Sequence, residues 1–139
     1  MKKVLLEMEL KGLPPTVNHL YRSTIGGRRY KTDAGREYQQ MITNDIIEVW
    51  GDRQPYTGSV ALYIEFETDN RRRWDIDNRV KALQDCLTMA GVIADDRQVD
   101  VLHVERRQGT TARTILTVME ANNETLQIRG KMPIQLQRE

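Results

Sequence analysis

Cysteine and histidine are scarce in this chain. A single cysteine, Cys86, cannot form an internal disulfide, and the two histidines, His19 and His103, stand far apart in sequence. A zinc site built from thiolates and imidazoles is therefore disfavoured. No run reaches the roughly 18 uninterrupted apolar residues that a membrane-spanning helix needs. No basic leader precedes an apolar stretch with a small-residue cleavage site, so we expect a soluble, intracellular protein with no membrane partner. Charge of one sign is not in excess either: 21 Lys and Arg against 20 Asp and Glu leave a net charge of +1. A total says nothing about distribution, however. Arginines occur in blocks at Arg28-Arg29, Arg71-Arg72-Arg73 and Arg106-Arg107, which leaves local basic surfaces for nucleic acid open. Internal repeats and low-complexity tracts are absent, and no linker rich in Pro, Gly or Ser occurs before roughly the last fifteen residues. With 139 residues, 39% of them apolar, we expect one domain with one modest core.

The pattern of apolar residues divides the chain into elements. In "KKVLLEMELKG", Val4, Leu6, Met8 and Leu10 alternate with Lys3, Glu7 and Glu9, interrupted only by Leu5, which predicts a half-buried strand ended by Gly12. The following "LPPTVNHLYRSTIGGRRYKT" reads as a loop, broken by Pro14-Pro15 and Gly26-Gly27. From an N-cap at Thr32 or Asp33, apolar positions Tyr38, Met41, Ile42, Ile46 and Val49 recur at helical spacing up to Gly51. Period two returns in "GSVALYIEFET", "VLHVERR" and "RTILTVMEA". Together with a helix in the segment between the first two of these, the order is strand, helix, strand, helix, strand, strand. That order predicts an α/β (α+β) fold, a small mixed β-sheet with two helices packed on one face.

The densest chemistry lies in "RRRWDIDNRVKALQDCLTMAGVIADDRQVD", residues 71–100. If "WDID" is extended, Asp75 and Asp77 share one side and Trp74 and Ile76 the other. Asp77 is also placed to cap a helix whose apolar stripe runs through Val80, Leu83, Leu87 and Ala90 to Gly91. Lys81 follows Asp77 by one turn, within reach of the space before the carboxylates. After the helix, Asp95 and Asp96 occupy a short connection. A chain that doubled back there would return this second acidic pair towards the start of the helix.

Carboxylates held together raise one another's pKa, a cost that a divalent cation removes. Oxygen-only ligands suit Mg²⁺, with Mn²⁺ as a substitute, and such ions also bind substrate phosphate. A metal there would activate water, Lys81 would stabilise charge at phosphorus or on the leaving oxygen, and Arg28, Arg29, Arg71, Arg72 and Arg73 would clamp phosphates. Phosphodiester hydrolysis is the natural reading. Ordinary explanations exist for each part: Asp77 as a helix cap, Asp95-Asp96 in a solvated turn, Tyr21 and Tyr30 in packing, His19 and His103 as surface or strand residues, Cys86 as a small core residue, and the arginines as solvated faces. The joint occurrence of these features at one end of one helix favours function. Two rivals stand beside a nuclease: a module that binds branched DNA without cutting it, and a phosphohydrolase acting on small substrates.

The same segment resembles the RusA family of Holliday junction resolvases, through its D-x-D-N, the lysine four residues later, the "AG" helix end and the "DD" pair followed by Gln98. "LPPTVNHLYR" is similar to that family's N-terminal signature. In element order the resemblance spans residues 4–121, so a RusA-like domain over 1–121 and a C-terminal tail over 122–139 are expected. The tail is an additional strand, a wrap around another protomer, or disordered. The resemblance implies that Asp75, Asp77 and Asp96 are catalytic metal ligands and Lys81 a functional lysine, leaving open whether Asp95 contributes. It further implies a homodimeric, Mg²⁺-dependent endonuclease making paired cuts in four-way DNA junctions during recombination and repair, in the cytoplasm of a bacterial or prophage setting.

Overall fold

The computed structural model describes residues 3–17, 21–69 and 74–121. Arg71, Arg72, Arg73, His19 and the tail over 122–139 lie outside the described residues. The elements are β1 (Val4–Lys11), β2 (Tyr21–Ser23), β3 (Arg29–Lys31), α1 (Asp33–Trp50), β4 (Val60–Thr68), α2 (Val80–Met89), β5 (Val99–Gln108) and β6 (Arg113–Glu120). Two 3₁₀ turns, Ile76–Arg79 and Asp96–Gln98, flank α2.

Four strands form one sheet in the order β1-β6-β4-β5. The β1–β6 and β6–β4 pairs are antiparallel, whereas β4 and β5 are parallel. Parallel neighbours need a crossover rather than a hairpin, and here α2 with its two 3₁₀ turns is that crossover. All the acidic candidates therefore sit on one connection, which starts at the carboxyl end of β4, the place where α/β folds expose ligand sites.

Register explains why the sheet has one buried face. Leu6 and Leu62 both pair with Val118, Met8 and Ile64 with Leu116, and Leu10 and Phe66 with Thr114. All but the partly buried Met8 are buried, as period-two alternation requires. Ile42 and Ile46 of α1 and Leu83, Cys86 and Leu87 of α2 complete the core. The opposite face carries charge, with Arg113 bridging Glu9 and Glu67 and Arg107 bridging Glu65 and Glu105. His103, an exposed strand residue on this side, stands 5.8 Å from the Tyr63 ring. No helix among the described residues is long and apolar enough to cross a membrane.

Two expectations need correction. The segment after β1 is not simply a loop, because β2 and β3 pair antiparallel as a two-stranded ribbon. Strands of three residues are too short for periodicity to register, and the reversal depends on Gly27 at φ 85°, a conformation that favours glycine. The buried face of α1 is also rotated: Met41 and Val49 are exposed, while Gly35, Gln39, Ile42, Thr43, Ile46 and Trp50 are buried. Two polar side chains thus lie on the inner face, where apolar periodicity cannot find them. The N-cap is Thr32, whose Oγ1 accepts from Gly35 N at 3.0 Å. Cys86 is a buried free thiol whose pKa burial pushes up to about 11, so it is a packing residue.

Candidate active site

Trp74 anchors the start of the site. Its half-buried ring lies 5.6 Å from that of Phe66, a buried residue near the carboxyl end of β4. Arg79 stacks over it at 4.7 Å and donates to the Pro14 carbonyl at 2.6 Å, tying the N-terminal loop to the site. Arg106 donates to the Trp74 carbonyl from the neighbouring strand. Both arginines act as fold elements, packing planar stems on an aromatic ring while their N–H groups satisfy carbonyls.

Asp75 and Asp77 are exposed while Trp74 and Ile76 are partly buried, although the extended path expected of "WDID" ends at Asp75, because Ile76–Arg79 is a 3₁₀ turn. The cap expectation fails, however. Extended Asp75, at φ −74° and ψ 118°, heads the 3₁₀ turn without a side-chain cap bond, and α2 begins only at Val80 with Arg79 in the cap position. A tight turn between carboxylate and helix absorbs the residues that would otherwise have placed Asp77 at the cap. Consequently neither carboxylate has a hydrogen bond or ion pair among the described residues.

Lys81 stands between two clefts. One, of about 450 Å³, is lined by Ile76, Asp77, Val80, Lys81, Leu102 and Val104 among others. The second, of about 370 Å³, includes Tyr21, Lys31, Lys81, Asp85, Asp95 and Asp96 in its wall. The ammonium donates to Asp85 Oδ1 at 3.1 Å, and that bond, with the attraction of Asp85 and Asp96, holds the Lys81 pKa above its ordinary value despite partial burial. Lys81 is thus a proton donor at neutral pH, unfit as a base. Asp85 is a residue that reading the sequence missed, although its i, i+4 spacing from Lys81 was a usable signal.

The second acidic pair divides its labour. Asp95 caps the turn Asp96–Gln98: its Oδ1 accepts from Arg97 N at 2.8 Å, and Gln98 Oε1 accepts from Asp95 N at 2.9 Å. Its side chain also pairs with Arg97 at 3.2 Å, and these bonds hold its carboxyl below the usual range. Gln98 then donates to the carbonyls of Tyr56 and Gly58 at 2.7 and 2.8 Å, fixing the turn to the sheet. Asp95 is occupied structurally, and Asp96 is the member whose charge acts on Lys81.

Arg28 and Arg29 are exposed on the ribbon, with the Arg29 guanidinium 4.4 Å from the Tyr21 ring centroid. Tyr30 is 48% exposed, so it is not a core residue. A further cavity of about 690 Å³ lies at the β5–β6 loop and is lined by no candidate residue; its arginine, Arg113, is already neutralised by Glu9 and Glu67.

An acidic pair at a strand end, a lysine one turn on and a capped acidic turn beyond the helix are the features that the family model for endodeoxyribonuclease RusA spans, matching residues 12–119. The chain belongs to the RusA endodeoxyribonuclease family. Among RusA relatives, the crossover junction endodeoxyribonuclease of Escherichia coli K12 is 35% identical over 116 residues, covering 80% of this chain and 92% of its own. That of Enterobacteria phage 82 is 34% identical over the same shares, and that of Aquifex aeolicus 29% identical over 109 residues, covering 73% and 80%. RusA membership makes this an enzyme and implies divalent-metal-dependent nuclease chemistry. Among the described residues no three carboxylates, imidazoles or thiols already form a metal-holding group. The donor set nevertheless fits: Mg²⁺ keeps several waters and needs only one or two carboxylates beside substrate phosphate, and Asp75 and Asp77 are exposed oxygen donors with no competing partner among those residues.

Proposed function

We propose that this RusA-family chain is a Mg²⁺-dependent endonuclease that resolves four-way DNA junctions by paired, symmetric cuts in recombination and repair. The observation that carries the reading is the position of Lys81, which lines one cleft with Asp77 and another with Asp96. Asp75, Asp77 and Asp96 would hold the metal, Mg²⁺ in preference to Mn²⁺, which when bound supplies an activated water and neutralises charge at phosphorus. Lys81, kept protonated by Asp85, donates to the phosphoryl oxygens or to the leaving 3′ oxygen, where negative charge grows in the transition state. Trp74 and Gln98 hold the two acidic segments from behind.

Two cuts in strands of like polarity call for two sites related by a two-fold axis, which a homodimer provides. The outer edge of β5 pairs with no described strand, and Leu102 there is 48% exposed beside Asp77 and Lys81, surface that a second copy would cover. We assign the enzyme to the cytoplasm, a reading that the bacterial and phage sources of its relatives support.

Affinity is assigned to Arg71, Arg72 and Arg73, with Arg28 and Arg29 on the ribbon. Replacing two of the three arginines at 71–73 with Ala is expected to weaken binding to all junction sequences alike and to flatten the slope of log affinity against log salt by about 0.9 per lost phosphate contact. A variant that melts early but keeps the wild-type slope would make these arginines fold elements. Substrate choice is tested by competition: unlabelled four-way junction should suppress cleavage of labelled junction at far lower concentration than linear duplex or small phosphodiesters. Equal competition by small esters would favour a small-substrate phosphohydrolase.

A further inference from the structure

Lys31 closes β3 opposite Tyr21 in the ribbon register, and its ammonium donates to Gln39 Oε1 at 2.6 Å. Gln39 is only 3% exposed on the inner face of α1, so the helix fixes the position of the acceptor. Its Nε2 has no hydrogen-bond partner among the described residues. A buried amide left half-satisfied is costly, which makes the pairing with a lysine unlike ordinary core packing.

Among the described residues Lys31 forms no ion pair. It shares the cleft of about 370 Å³ with Lys81 and Asp96, yet no carboxylate among the described residues lies within ion-pair distance of it. Asp85 is taken by Lys81 at 3.1 Å and Asp95 by Arg97 at 3.2 Å. An ammonium has three N–H donors, and Gln39 accepts from one. The remaining donors sit on a positive charge held by a rigid partner, beside the lysine assigned to the reacting phosphate.

We propose that Lys31 binds a backbone phosphate of the strand being cut, adjacent to the phosphate served by Lys81, with Gln39 as its positioning residue. The proposal rests on the nuclease reading above. Held by Gln39, Lys31 loses less freedom on binding than an exposed lysine would, and its charge displaces condensed counterions from the DNA.

The test is a salt series of four-way junction binding by the full chain in EDTA, where no cleavage intervenes, with unfolding midpoints recorded alongside. Lys31→Gln keeps a donor for Gln39 but removes the charge; it should bind roughly tenfold more weakly and lose about 0.9 from the salt slope. Lys31→Arg should retain the wild-type slope, and Gln39→Met, with the charge kept but unsteadied, should lose part of the affinity at unchanged slope. In Mg²⁺, Lys31→Gln should raise KM more than it lowers kcat. A folded Lys31→Gln variant with wild-type slope and affinity overturns the proposal. Cleavage by the unaltered protein judges the nuclease reading separately, since an inert wild type would remove that reading while the slopes still decide the role of Lys31.

Discussion

Asp75→Asn, Asp77→Asn and Asp96→Asn are each expected to lower junction cleavage by more than roughly 100-fold, the most that loss of an outer partner of a metal ligand usually costs. Junction binding should stay intact or tighten, because each change removes a negative charge from a surface that phosphate must approach. The first two carboxylates have no structural duty among the described residues: they are exposed and lack side-chain bonds, and Asp77 caps nothing in α2. Stability should therefore change little in those variants. Asp95→Ala provides the contrast, since Asp95 caps the turn Asp96–Gln98 and pairs with Arg97. That variant should lower the unfolding midpoint and keep cleaving. Gel cleavage assays paired with binding isotherms check the set, and full activity in any two of the three Asn variants would remove the assigned metal site.

Lys81→Ala should reduce kcat by roughly 10²–10³, the scale of losing one preorganised donor to developing negative charge, and change junction affinity far less. The reasoning depends on the proton that Lys81 carries. Its hydrogen bond to Asp85 raises its pKa, so the ammonium persists across the neutral range. The carboxylate also aims it, Asp85 being 18% exposed against 47% for the lysine. Asp85→Asn keeps a side-chain oxygen but not the charge, and should produce a smaller fall in kcat than Lys81→Ala. Single-turnover rates at saturating enzyme separate chemistry from binding. A Lys81→Ala defect confined to affinity would make Lys81 a positioning contact for the backbone.

Much of the fold was legible because its long elements alternate cleanly: β1, β4 and β6 bury every second residue against one layer of helices. The β2–β3 ribbon escaped because three-residue strands carry no period and Gly27 supplies the turn. For α1 the apolar stripe misled, since Gln39 and Thr43 face inward while Met41 and Val49 face out; a polar cluster under the helix overrides hydrophobic spacing. In the site, the exposure of Asp75 and Asp77 agrees with the alternation in "WDID", but the 3₁₀ turn that begins at Ile76, ends the extended path and displaces Asp77 from the cap was not legible. The capping duty of Asp95 was written in a D-x-x-Q box that only the contacts of Gln98 make plain. Lys31 was invisible as a candidate, because its partner Gln39 lies eight residues away on another element.

The most direct measurement is cleavage of a synthetic four-way DNA junction by the purified chain, with Mg²⁺ and with EDTA, mapped on all four strands. Two cuts placed symmetrically across the junction in Mg²⁺, none in EDTA and none on linear duplex of the same sequence are the predicted result. Tight junction binding with no cleavage in either Mg²⁺ or Mn²⁺, or cleavage that persists in EDTA, would contradict the account.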